Sequence, residues 1–172
     1  MRRLLLCATL LGAALPACSP ALDWREVRPD GSAARVLFPC QPKSQTRQAA
    51  LAGARMPMTL LSCEADGQTF ALAHAELGDP ARVSPALAEM AAALVANLQA
   101  GPPRTMPLAV PGMTPNADAR RLWLRGRLPD ATPVQEQAAL FAYGTRVYQA
   151  AVLGTQPGAA ADAFIDSLRI AP

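Results

Sequence analysis

Two apolar-rich runs between Arg55 and Leu77 are joined by Glu64-Ala65-Asp66-Gly67, and this hairpin constrains the fold more than any other feature. Asp-Gly suits a two-residue turn with positive φ at both central positions, the turn that joins neighbouring antiparallel strands. The spacing predicts strands over residues 55–63 and 68–77. In the second, Phe70, Leu72 and His74 alternate with Ala71, Ala73 and Ala75, which sends the two sets to opposite faces.

The same reading extends along the chain. Arg35-Val36-Leu37-Phe38, ended by Pro39, reads as a short strand, and residues 41–48 as a polar connecting stretch. A further strand is expected over 104–110, followed by a Pro/Gly-rich loop over 111–115. The second half reads as a three-strand meander over 119–128, 134–143 and 146–153, joined by Pro129-Asp130-Ala131-Thr132-Pro133 and by a tight turn at Gly144-Thr145. Two helices interrupt the strands. Ser84 suits an N-cap, Pro85 the first helical position, and Leu87, Met90, Ala91, Leu94 and Leu98 form one apolar stripe ended by Gly101-Pro102-Pro103. A closing helix places Ala161, Phe164, Ile165 and Leu168 on one side. The fold class expected is α+β, an antiparallel sheet of about six or seven strands with the two helices packed on one face.

The N-terminus has the layout of an export signal: Arg2-Arg3, then an uncharged stretch from Leu4 to Leu15 too short to span a bilayer. Leu15-Pro16-Ala17-Cys18 resembles the lipobox of bacterial lipoproteins. That resemblance implies acylation of Cys18 and cleavage before it; the alternative is ordinary cleavage after a small-x-small site. Ser19, rather than Asp, implies sorting to the outer membrane. The expected organisation is a signal peptide over 1–17, a lipidated N-terminus and short tether over 18–23, and one domain over 24–172, anchored in the cell envelope and facing the periplasm.

Cys7 leaves with the signal peptide and Cys18 takes the lipid, so Cys40 and Cys63 remain in an oxidising compartment. A structural disulfide between them is the simplest outcome, and closing that loop stabilises the fold by about 3 kcal/mol. Their spacing is far from Cys-x-x-Cys, which argues against a redox-active pair.

Without Arg2 and Arg3 the 16 basic residues fall to 14 against 13 acidic ones. That balance supplies no basic footprint for nucleic acid.

Several segments resemble one family. They are Phe38-Pro39, Gly67-Gln68-Thr69-Phe70-Ala71-Leu72, Gly144-Thr145-Arg146-Val147-Tyr148-Gln149 and Ala161-Asp162-Ala163-Phe164-Ile165-Asp166-Ser167-Leu168-Arg169. Together with the order of elements they resemble the PsbP-like fold, which includes bacterial lipoproteins similar to DcrB. The resemblance covers most of the chain after residue 23 and implies fold rather than activity. Tyr148 and Phe164 are its core-filling positions, and no catalytic residue is carried over.

No residue pattern assembles a catalytic set. His74 is the sole histidine, with no Gly-x-Ser-x-Gly elbow and no further zinc ligands to join it, so it reads as a strand residue with ordinary hydrogen bonds. Met56-Pro57-Met58 offers two soft ligands for Cu(I), but alternating methionines on an edge strand read better as gap-filling core. The carboxylates are scattered, and no metal site or cofactor is expected. The best functional patch is Arg121, Trp123, Arg125 and Arg127, which alternation puts on one strand face. It reads either as a surface for an anion or lipid headgroup, or as a solvated arginine face. A symmetric hairpin through Pro129–Pro133 would set Glu136 opposite Arg125 as a cross-strand ion pair.

The expectation is therefore a non-catalytic binding or accessory module of the cell envelope. Its partners are the membrane, through the anchor, and an envelope protein. The rival is a carrier of a small apolar ligand or lipid held between sheet and helices, in a cavity lined by Leu87, Leu94 and Phe164.

Overall fold

The computed structural model describes residues 22–171. The signal segment, Cys18 and most of the tether lie outside the described residues. In chain order the elements are β1 (Arg25–Val27), β2 (Ala34–Phe38), β3 (Lys43–Leu51), β4 (Ala54–Ala65), β5 (Gln68–Glu76), α1 (Val83–Asn97), β6 (Arg104–Pro107), β7 (Arg120–Arg127), β8 (Pro133–Tyr143), β9 (Arg146–Gly154), α2 (Ala159–Asp166) and β10 (Arg169–Ile170). Seven strands form one antiparallel sheet in the order β3-β4-β5-β9-β8-β7-β6, and β1, β2 and β10 form a small second sheet. The class is α+β, as the strand and helix patterns imply.

The Asp66-Gly67 turn has positive φ at both residues, and Ala52-Gly53 repeats that geometry one hairpin earlier. The earlier hairpin makes residues 43–48 part of an edge strand, where a polar connection over 41–48 is expected from sequence. β3 is exposed along most of its length, so neither of its faces needs an apolar period. With β3 outside it, β4 is an interior strand rather than an edge. Pro57 is tolerated there because the β4–β5 ladder begins only at Met58. Met56 is buried and Met58 half-buried in the core under α1, the gap-filling role.

The two helices lie on opposite faces of the large sheet, not on one. Val83, Leu87, Met90 and Leu94 of α1 pack on Leu122, Leu124, Leu140 and Val147. Ala161, Phe164 and Ile165 of α2, with β2 of the small sheet, pack on Phe70, Leu72, Phe141 and Tyr148. Phe164 meets Phe38 and Phe70 edge-on, with ring centroids 5.0 and 5.5 Å apart. The run Ala138-Ala139-Leu140-Phe141-Ala142 is buried at every position, the sign of a strand covered on both sides.

The first helix begins earlier than Ser84 suggests. Asp79 caps a 3-10 turn, Pro80–Arg82, by accepting from the Ala81 amide at 2.9 Å, and α1 follows directly. Ser84 is inside the helix, its hydroxyl bonded to Asn116. The strand expected over 104–110 stops at Pro107, beyond which β7 offers no partner.

Cys40 and Cys63 are joined, with Cα atoms 6.0 Å apart, tying the end of β2 to β4. Reduction is expected to lower unfolding free energy by about 3 kcal/mol, read as a fall in the urea midpoint with and without dithiothreitol.

Candidate functional site

The β7–β8 hairpin decides what the candidate site contains. Its loop closes on Leu128 and Thr132: the Leu128 amide donates to Thr132 at 2.9 Å, and Ala131 takes a positive φ of 67° inside the turn. This is one residue tighter than the register that would pair Arg125 with Glu136. Arg125 therefore faces Gln135, and Glu136 faces Leu124. The expected Arg125–Glu136 pair does not exist, because a one-residue change of register moves a side chain to the other face of the sheet.

Glu136 is buried beneath α1, between Leu124 on β7 and Leu153 on β9. Burial pushes its carboxyl up to about 7. With the Arg125 pairing lost, it is the one carboxyl group in the described residues that the core holds without an arginine opposite.

Arg121, Trp123, Arg125 and Arg127 do share the face on which α2 lies, but they do not form one open patch. Arg121 is largely covered: its guanidinium donates to Asp162 at 2.6 Å, to Asp166 at 2.8 Å and to Gln137 at 2.8 Å. It thus clamps α2 onto β7. Arg127 turns back on its own hairpin and donates to the Ala131 carbonyl. The Arg121 guanidinium also lies over the Trp123 ring, 5.1 Å from its centroid, and that of Arg104 on β6 lies 4.5 Å from it. Arg121→Ala is expected to cost about 2 kcal/mol through lost packing and three lost charged hydrogen bonds, measured by urea denaturation.

Trp123 and Arg125 open instead into a cleft of about 390 Å³. Gln135 and Gln137 complete its floor beside them, Arg104 forms one rim, Gly101-Pro102 and Pro157 form the walls, and Leu124 and the largely buried Glu136 also line it. Both glutamine amides are committed to the loop before α2, Gln135 to the Thr155 carbonyl at 3.2 Å and Gln137 to Pro157 at 3.4 Å. That loop is therefore held as a fixed wall. Arg104 and Arg125 are exposed, and neither has a carboxylate partner among the described residues. The cleft presents two unspent guanidinium groups around an indole, a surface shaped to receive an anionic group.

Arg104 is the site residue that sequence reading misses. Its register with Trp123 follows from β6 pairing across the connection 108–119, and no local pattern encodes that pairing. Gln135 and Gln137 were accessible from alternation, since they share a face with neighbours of Trp123 across the hairpin.

His74 is buried beside Tyr148, with ring centroids 6.1 Å apart, and its Nε2 has no hydrogen-bond partner. This differs from the satisfied strand histidine expected. Burial holds the imidazole below its usual range, helped by the nearby Arg146 charge. Among the described residues no three His, Cys, Asp or Glu side chains are grouped to hold a metal ion, and no helix is long and apolar enough to cross a membrane. Leu87 and Leu94 belong to the core under α1 and Phe164 to the core under α2, so the three share no cavity.

Comparison with protein-family models and with curated proteins gives no match for this chain.

Proposed function

We propose that the protein is a PsbP-like, non-catalytic binding module of the cell envelope, exported, anchored through Cys18 and facing the periplasm. Its recognition surface is the cleft between β6, β7 and β8, and it accepts an acidic group presented by an envelope component. One observation carries this reading. Arg104 and Arg125 flank Trp123 on a floor that Gln135, Gln137 and Arg121 hold rigid, so the surface is assembled before any partner arrives. Preorganised arginines and an aromatic anchor are the groups that dominate binding energy at interfaces.

Crosslinking of the full-length, Cys18-bearing chain in the intact envelope, with mass spectrometry of protein and lipid in the adduct, tests the reading. A dominant adduct that disappears in Arg104→Glu/Arg125→Glu is the expected result. An adduct unchanged by that double reversal would place recognition elsewhere on the molecule.

A further inference from the structure

The cleft and the N-terminal end of the domain occupy one end of the sheet. Successive pairings put Cys63, Phe70, Val152, Gln137, Trp123 and Arg104 in a single row across five strands and the edge strand beyond them. The N-terminal segment is fixed to this row. Trp24 packs edge-on against Phe70, 6.3 Å between ring centroids, and the Asp23 amide donates to the Pro39 carbonyl at 2.8 Å, next to the Cys40–Cys63 bridge. Phe70 and Trp123 are three strand spacings apart, about 14 Å.

Cys18 is four residues before Leu22, and four residues reach at most about 14 Å even when fully extended. A lipid on Cys18 therefore confines this end of the sheet to the bilayer surface, whatever path the tether takes. The charged groups at this end are unequal in availability. Arg25 pairs with Asp23, Arg127 is bound to its own hairpin, and Asp130 accepts from the Thr132 amide. Glu64 and Asp66 sit at this same end, at the β4–β5 turn beside Cys63 and Phe70 rather than at the cleft. Arg104 and Arg125 are the cations of the cleft without a carboxylate partner among the described residues, Lys43 on β3 is a further exposed cation beside Cys63, and Trp123 between the two arginines is a side chain suited to the headgroup layer.

We propose that the cleft holds the phosphate of a lipid headgroup in the membrane that carries the chain's own anchor. The inference rests on the anchored-module reading and names the acidic group that the module receives. The two guanidinium groups bind the phosphate oxygens, the anchor supplies a high local concentration of headgroups, and the domain is thereby held in one orientation on the membrane. The opposite end of the sheet, with the β8–β9 turn at Gly144-Thr145, then faces away from the bilayer.

Full-length chain carrying Cys18→Ser and Trp24→Phe reports on the cleft through Trp123 fluorescence alone when titrated with phosphatidylglycerol vesicles. A saturable, salt-sensitive shift is expected, with apparent affinity falling about thirtyfold in Arg104→Ala/Arg125→Ala. Arg104→Lys/Arg125→Lys should retain most of the binding, and both variants should keep the parent's urea midpoint. No shift with these vesicles overturns the proposal. So does an equal shift with inorganic phosphate at the same phosphate concentration, which would make a free anion the ligand. A shift with polyglutamate but none with vesicles also overturns it, leaving the recognition cleft standing with a protein as its partner. The premise has its own readout: intact mass of the Cys18-bearing chain purified from membranes. An unacylated Cys18 there removes the confinement, and with it the proposal, independently of how the vesicles behave.

Discussion

Glu136→Leu is expected to make the protein more stable at pH 8 by about 3 kcal/mol and to leave it almost unchanged at pH 4. The carboxyl faces Leu124 and Leu153 in the core under α1, and burial pushes it from 4.5 up to about 7. A folded-state value above the unfolded one means that the folded protein holds the proton more tightly. Stability from this group is therefore fully present below pH 4.5, and falls as pH rises to about 7, where the buried group must ionise. Leucine fills the same space without a charge, so the variant loses this dependence. His74 acts in the opposite direction. Its imidazole is held below 6.5 by burial, so it withdraws stability as pH falls through 6.5 and the unfolded chain takes up a proton. The informative quantity is thus the difference between variant and parent in urea unfolding at pH 4, 6 and 8. A difference that stays constant across those pH values would contradict the burial of an unpaired carboxyl at this position.

Gly126→Ala should be more damaging than its size suggests, costing more than about 3 kcal/mol. A Cβ there would meet the Leu98 carbonyl oxygen at 2.2 Å and the Leu98 Cβ at 2.7 Å. The contact is close because the Arg127 amide donates to that same carbonyl at 2.8 Å, docking the end of α1 onto the backbone of β7. Neither partner can retreat without breaking the bond. The consequence reaches the cleft, since Gly101-Pro102 follows Leu98 by only a few residues and forms a wall. Trp123 emission should change along with the urea midpoint. Gly101→Ala supplies the contrast: its Cβ meets nothing within 4 Å, and a cost under about 0.5 kcal/mol is expected. Equal costs at the two positions would show that close approach at Gly126 is not what holds the helix end.

The fold was legible in sequence wherever local chemistry dictates geometry. Asp66-Gly67 announces its turn, the stripe from Leu87 to Leu98 announces its buried face, and cysteine count with the expectation of export announces the disulfide that joins Cys40 to Cys63. The reading fails where partners decide. β3 is polar because it lies at an edge, and only its pairing with β4 makes it a strand. The helices separate onto two faces because the central strands are apolar on both sides, a pattern visible from Ala138 to Ala142 but easily credited to one thick core. The site shows the same division. Trp123 and Arg125 stand out as a residue pattern, yet Arg121 and Arg127 are withdrawn from the patch by α2 and by the hairpin loop. Arg104 enters it only through sheet pairing. The single positive φ at Ala131 sets the register that separates Glu136 from Arg125, and an alanine gives no local sign of that geometry.

The central claim, that the cleft is where this module meets its envelope partner, is tested most directly by placing a photocrosslinking amino acid in the full-length chain. Position Gln135 samples the cleft floor, and Gln45, on exposed edge strand β3, samples a surface remote from it. The account predicts strong adducts in intact cells from position 135 and few from position 45, with the former abolished by Arg104→Glu. Equal yields at the two positions, or adducts from position 45 alone, would contradict it.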